Sequence, residues 1–179
     1  MNIVILSGSP RKGGTTDKLV ASFTEGAESV GKQVTLFRVA DMKIKACVAC
    51  DICKKAQASC VHTDDMVHIY EAIRKADVLV YASPVYWFTV SAQLKLALDR
   101  IHAISAEKLP VKQCALLMTC ADAKEAHAEE GAVVMYKSML SYMKWENAGI
   151  VIAAGLEDIN AIDGRDELEQ ARKLGKVIG

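Results

Sequence analysis

Apolar strand-like runs alternate with segments of helical period along this chain. That order predicts an α/β fold, a doubly wound five-stranded parallel sheet with helices on both faces. Two observations carry the expectation. The runs at residues 2–7, 33–38, 76–83, 111–119 and 149–155 are mostly continuous in apolar side chains, as strands covered on both faces are. The segments between them are long enough for the right-handed crossovers that parallel neighbours need.

The first strand (2–7) is bounded by Gly8. From 16 to 30, Leu19, Val20, Phe23 and Ala27 recur at helical spacing, and Gly31 stands just past the end, where a C′ glycine belongs. After the second strand (33–38) comes a cysteine-rich stretch with no clean period, read as a loop over 46–61 inserted before the next helix. Asp64 and Asp65 open that helix, whose apolar stripe is Met66, Ile69, Tyr70 and Ile73. The third strand (76–83) is ended by Pro84, and 91–101 is helical. A fourth strand (111–119), a long helix (123–144), a fifth strand (149–155) and a closing helix (166–178) follow. The methionine-rich stretch 133–145 reads as helix packing or as a subunit interface. No repeat, low-complexity tract or linker interrupts the pattern, so residues 1–179 are expected to form a single domain.

Twenty-two basic and 22 acidic residues leave no formal net charge, which speaks against nucleic acid and against an anionic membrane surface as partners. Met1-Asn2 leads straight into Ile3-Val4-Ile5-Leu6, with no basic n-region or cleavage site, and no run is long enough for a membrane span. The expected compartment is the cytoplasm, where thiols stay reduced. The six cysteines then call for a reading other than a disulfide framework.

Ligands of doubly wound sheets sit beyond the carboxyl ends of the strands, which selects residues 8–16, 83–89 and 119–124. The first of these, GSPRKGGTT, suits a phosphate. Glycines let backbone N–H groups close on an anion at a helix N-terminus, while Ser9, Thr15 and Thr16 add hydroxyls and Arg11 and Lys12 add charge. Gly8 and Gly13 have Walker spacing, but Gly14 stands where the lysine is needed, and no glycine set fits G-x-G-x-x-G. The alternative is a polar turn in which Thr15 or Thr16 caps the helix without a ligand. In the second stretch, Pro84-Val85-Tyr86-Trp87-Phe88 sets three consecutive aromatics at a strand exit. They cannot all point inward, so they face a crevice or cover a satellite core.

The blocks GSPRKGGTT (8–16), DDM (64–66) and ASPVYWFTVSAQLKLALDR (82–100) together resemble the flavodoxin-like NAD(P)H-dependent FMN reductases and iron–sulfur flavoproteins, over residues 1 to about 155. The resemblance implies a flavodoxin-like fold binding FMN without a covalent link. Ser9, Arg11, Gly14, Thr15 and Thr16 would hold the phosphate, and Pro84, Val85, Tyr86, Trp87 and Phe88 would embrace the isoalloxazine ring. Cys120 and Ala121 would lie beside that ring, although a buried, inert Cys120 is the other reading. It also implies an oxidoreductase of ping-pong type. NAD(P)H gives hydride to the flavin, and a small acceptor such as a quinone, a free flavin or another aromatic takes the electrons. No side chain is assigned as acid or base, and a homodimer or homotetramer is implied. The alternative from another class is a flavodoxin-type electron carrier without turnover of its own.

Cys47, Cys50, Cys53 and Cys60 form C-x2-C-x2-C-x6-C. Thiolates suit iron–sulfur clusters or zinc, but a zinc ribbon wants two separated C-x-x-C pairs, and bacterial ferredoxins place the fourth cysteine after three residues with proline behind it. The spacing resembles the compact motif of iron–sulfur flavoproteins, which implies a [4Fe-4S] cluster on these four cysteines exchanging electrons between a ferredoxin-like donor and FMN. Bystander or redox-sensitive thiols, and zinc, stay open. His62, His68, His102 and His127 show no ligand spacing, and Asp99-Arg100 reads as an ion pair at a helix end.

Overall fold

The computed structural model describes residues 1–55 and 60–179, so residues 56–59 of the cysteine-rich loop lie outside the described residues. Five parallel strands form the sheet: β1 (Asn2–Ser7), β2 (Gln33–Arg38), β3 (Val78–Tyr86), β5 (Gln113–Thr119) and β6 (Glu146–Ala153). Their spatial order is β2-β1-β3-β5-β6. A sixth, two-residue strand, β4 (Thr89–Val90), turns back antiparallel on β3. The chain reverses direction across the sheet at β1 and β3. The carboxyl ends of β1, β3 and β5 therefore border one crevice.

Neighbouring residues of each strand feed different layers. Val4, Leu6, Leu79, Tyr81, Leu116 and Met118 pack under α3 (Met66–Ile73), α4 (Ala92–Ile101) and α5 (Glu130–Met143), which follow the four-residue α2 (Ile52–Lys55) in the chain. Ile3, Ile5, Val78, Val80, Ala115 and Leu117 pack under α1 (Thr15–Glu28) and α6 (Asp166–Val177). The central strands β1, β3 and β5 are buried on both faces, which is why they read as continuous apolar runs. The predicted stripe Met66, Ile69, Tyr70 and Ile73 is buried throughout. Helices α1 and α6 cross closely at two glycines. A Cβ on Gly26 would stand 2.0 Å from the Arg172 carbonyl, and one on Gly175 would stand 2.1 Å from that of Phe23. No helix of the described residues is long and apolar enough to cross a membrane.

Three expectations about elements are corrected. Strand β3 runs through Pro84 to Tyr86 and is not ended by it. Pairing with β1 stops at Ala82 while pairing with β5 continues to Pro84, so proline stands where one edge of β3 has lost its neighbour. The long helix expected over 123–144 is broken. A short 3-10 turn (Lys124–Ala126) ends at His127 in the left-handed conformation (φ 52°), and α5 begins only at Glu130. The last strand starts at Glu146, ahead of the expected 149, because Trp145 is buried and the chain re-enters the sheet directly after the left-handed Lys144. In α5, Ala132, Tyr136 and Leu140 are buried and Met135, Met139 and Met143 pack against the core, while Val134 and Tyr142 are exposed.

Candidate functional site

The loop from Gly8 to Gly14 joins β1 to α1. Its entry is fixed by close approach: a Cβ on Gly8 would come within 2.5 Å of Ser91 Oγ and 2.6 Å of Leu94 Cβ. The Gly8 N–H donates to the Ala82 carbonyl at 2.8 Å, and Ser91 Oγ donates to the Gly8 carbonyl at 2.7 Å. Ser91 also caps α4 by accepting from the Leu94 N–H, so one hydroxyl seats both the loop and the helix behind it. Gly13 takes the left-handed turn (φ 67°) that lets the loop close. Gly14 then opens α1, and no side chain of the described residues caps that helix, so its first-turn N–H groups keep their donors for another partner.

One cavity collects most of the residues singled out from sequence. Ser9, Arg11, Gly14, Thr15 and Thr16 line it from the first loop, Pro84, Val85 and Tyr86 from the end of β3, and Cys120 and Ala121 from the end of β5. Two further lining residues, Thr119 and Leu156, were not singled out. Thr119 ends β5 inside a stretch already selected, and its hydroxyl shares a 2.7 Å buried hydrogen bond with that of Thr16, tying the first turn of α1 to the sheet. Leu156 follows Gly155 beyond the carboxyl end of β6, and the strand-end rule extended to this last strand would have found it.

Trp87 and Phe88 are not among that cavity's lining residues. They form the turn between β3 and β4, both in the left-handed region (φ 47° and 65°), with ring centroids 5.8 Å apart. Trp87 is 91% exposed and Phe88 59%. Left-handed backbone at two successive bulky residues costs energy, so the aromatic tip is held by its surroundings. A Cβ on Gly131 of α5 would stand 2.4 Å from the Phe88 carbonyl, which shows how tightly that helix is set against the turn. Burial pushes the Cys120 thiol up; a backbone hydrogen bond from Asp122 opposes this, and the carboxylate charges of Asp122 and Glu129 add to the rise, so the thiol favours its uncharged form.

The cysteine-rich segment makes a second cavity. Cys47, Cys50, Cys53 and Cys60 all line it, with Arg100, His62 and His102 among their neighbours. None of the four is in a disulfide, and Cys47 and Cys50 are exposed. Ala49 and Asp51 flank Cys50 in the left-handed region (φ 52° and 57°). Both sides of the segment are anchored by the DDM motif. Asp65 accepts from the Lys43 N–H at 2.7 Å, Asp64 from that of Lys45 at 3.0 Å, and Arg100 donates to the Lys45 carbonyl at 2.8 Å. The ion pair expected between Asp99 and Arg100 does not form. Asp99 pairs with Lys95 one helical turn away, and Arg100 faces inward to Asp64. Burial alone would lift the Asp64 carboxyl, but hydrogen bonds from Arg100 and from the Lys45 and Met66 N–H groups outweigh it and hold the acid below the usual carboxylate range. Arg100 Nε is buried and has no hydrogen-bond partner among the described residues. Among the described residues, no three histidine, cysteine, aspartate or glutamate side chains already converge as a metal site.

The family described as NADPH-dependent FMN reductase matches residues 1–151. The chain belongs to this family. Its relatives include an iron-sulfur flavoprotein of Archaeoglobus fulgidus, 35% identical over 189 residues that cover 99% of this chain and 79% of that protein. An iron-sulfur flavoprotein of Methanocaldococcus jannaschii is 38% identical over 107 residues, 60% of this chain and 54% of that protein. The chain thus spans little more than half the length of several of the curated relatives it matches. Among solved structures, the NAD(P)H:quinone oxidoreductase from Methanothermobacter marburgensis superposes with a TM-score of 0.78 at 20% identity, covering 98% of this chain and 94% of that one. At that identity the likeness speaks to the fold. The FMN reductase family fold is thus the frame in which both cavities lie.

Proposed function

We propose that this protein binds FMN in the cavity between the first loop and the ends of β3 and β5, and works as an NAD(P)H-dependent oxidoreductase. The observation that carries the reading is the uncapped N-terminus of α1 opening on the same cavity as Arg11, Ser9 and Thr16. Free N–H groups, a helix dipole and one guanidinium suit a terminal phosphate. The rest of the lining suits a flat ring: Pro84, Val85, Ala121 and Leu156 are apolar, and Tyr86 supplies an aromatic wall.

FMN held there would supply the redox chemistry, with NAD(P)H as hydride donor and a small molecule such as a quinone as electron acceptor. This chain's own residues bind and orient. Ser9 Oγ meets the Arg11 N–H at 3.3 Å, which shapes the loop around its anion. The Thr16–Thr119 bond fixes the distance between the helix N-terminus and the sheet end. No ionisable side chain in the cavity is needed as acid or base. Trp87 and Phe88, outside the cavity lining on the β3–β4 turn, would border the face where nicotinamide and acceptor alternate.

A second reading adds to the first. The sharing of one cavity by all four cysteines, beside an Arg100 N–H that has no acceptor among the described residues, supports an iron–sulfur cluster held by Cys47, Cys50, Cys53 and Cys60. Such a group would supply single-electron exchange with a ferredoxin-like donor. Protein purified without oxygen decides both readings. Equimolar FMN that is bleached by NAD(P)H and re-oxidised by quinone supports the enzyme, and a flavin that neither reductant nor acceptor touches overturns it. Absence of iron and of absorbance beyond the flavin near 400 nm overturns the cluster.

A further inference from the structure

The phosphate loop carries a carboxylate that works against its ligand. Asp17 is the third residue of α1, where an acid favours the helix dipole but stands at the same end as the anion site. Its Oδ2 accepts from the Gly13 N–H at 2.8 Å, so it also holds the loop's left-handed glycine. A dianionic phosphate would meet that charge at short range.

Arg38, the last residue of β2, lies in register with Ser7 at the loop's entry. It spends each of its three nitrogens there. Nη1 pairs with Asp17 Oδ1, Nε donates to Asp41 at 3.2 Å, and Nη2 donates to the Ser9 carbonyl at 3.4 Å. Lys12 pairs with the same Asp41 carboxylate at 3.3 Å. Lys12 and Arg38 are thus matched against Asp41 and Asp17, whereas Arg11 lines the cavity with no carboxylate partner among the described residues.

We propose that Arg38 is a positioning residue of the phosphate site: it cancels the charge of Asp17 and leaves Arg11 as the loop's net charge toward the phosphate. The inference rests on the reading that this loop takes the phosphate of FMN. Asp17 then serves the helix and Gly13 without repelling the ligand, and removing Arg38 uncovers the repulsion even though Arg38 never touches the anion.

The test is a set of dissociation constants for FMN and for riboflavin, which lacks the phosphate, measured by flavin fluorescence at several KCl concentrations. Arg38→Gln is expected to weaken FMN about tenfold, as one carboxylate within a Debye length of a dianion would. It should also flatten the salt dependence and leave riboflavin unchanged. Arg38→Gln/Asp17→Asn should recover both FMN affinity and salt dependence. Asp17→Asn alone, in the otherwise intact protein, should bind FMN more tightly and with a steeper salt dependence. A double variant no better than Arg38→Gln, an equal loss for riboflavin, or an Asp17→Asn that weakens FMN overturns the role given to Arg38. Wild-type protein that binds riboflavin as well as FMN overturns the phosphate reading of the loop itself.

Discussion

Arg100 and Asp64 form a two-pronged ion pair in the interior, Nη1 to Oδ2 at 2.7 Å and Nη2 to Oδ1 at 3.1 Å, with side chains 1% and 4% exposed. The pair joins α4 to Asp64, two residues ahead of α3, and, through the Lys45 backbone, closes the base of the cysteine-rich segment. Asp64→Ala would leave a guanidinium buried without its anion. Urea unfolding is expected to register a loss of about 3–5 kcal/mol. A loss under 1 kcal/mol would mean that water reaches the pair.

The same pair sets a direction for acid stability. The folded state holds the Asp64 carboxyl below its ordinary value, so the pair's contribution is present above the unfolded carboxylate pKa of about 4 and is lost as pH falls through the lower, folded one. Unfolding free energy should therefore drop with pH below about 4 in the wild type. The slope should be shallower in Asp64→Asn, and equal slopes would assign the acid sensitivity to other carboxylates.

Gly8 meets Ser91 and Leu94 too closely for a side chain. Gly8→Ala should cost about 1–3 kcal/mol as overpacking and push the loop off α4. The visible spectrum of the purified variant checks it: flavin content should fall. Retained flavin together with unchanged stability would show that the loop yields without loss.

Thr16 and Thr119 share one buried hydrogen bond inside the cavity. Thr16→Val strands the Thr119 hydroxyl and should cost about 1–3 kcal/mol, whereas the Thr16→Val/Thr119→Val pair should recover much of that stability. FMN affinity should stay low in both, because the hydroxyl at the helix N-terminus is missing from each. Recovery of affinity together with stability would make Thr16 a structural residue only.

Cys60 is half-buried in the second cavity, far in sequence from the first loop. Cys60→Ser, prepared without oxygen, should lower iron content and leave FMN content unchanged. Loss of both would mean that the cavities depend on each other.

Local rules carried well where burial is simple. The apolar runs, the stripe Met66, Ile69, Tyr70 and Ile73, and the glycine loop all follow from periodicity and turn chemistry, which short-range sequence encodes. Errors came where tertiary contacts override local preference. Pro84 does not stop β3, because β1 has already left its side. Arg100 turns away from Asp99, because the interior offers Asp64 a whole element away.

The sequence by itself determined the alternation of strands and helices, the phosphate-suited loop and the four-cysteine spacing, since each depends on residues close along the chain. Only the tertiary structure decided that Arg38 stands behind that loop, that Thr119 and Leu156 join its cavity, and that Trp87 and Phe88 occupy an exposed turn. Those facts depend on strand order, which brings together residues far apart in the chain. No period or motif records that pairing, because the free energy that fixes it comes from packing both faces of one sheet.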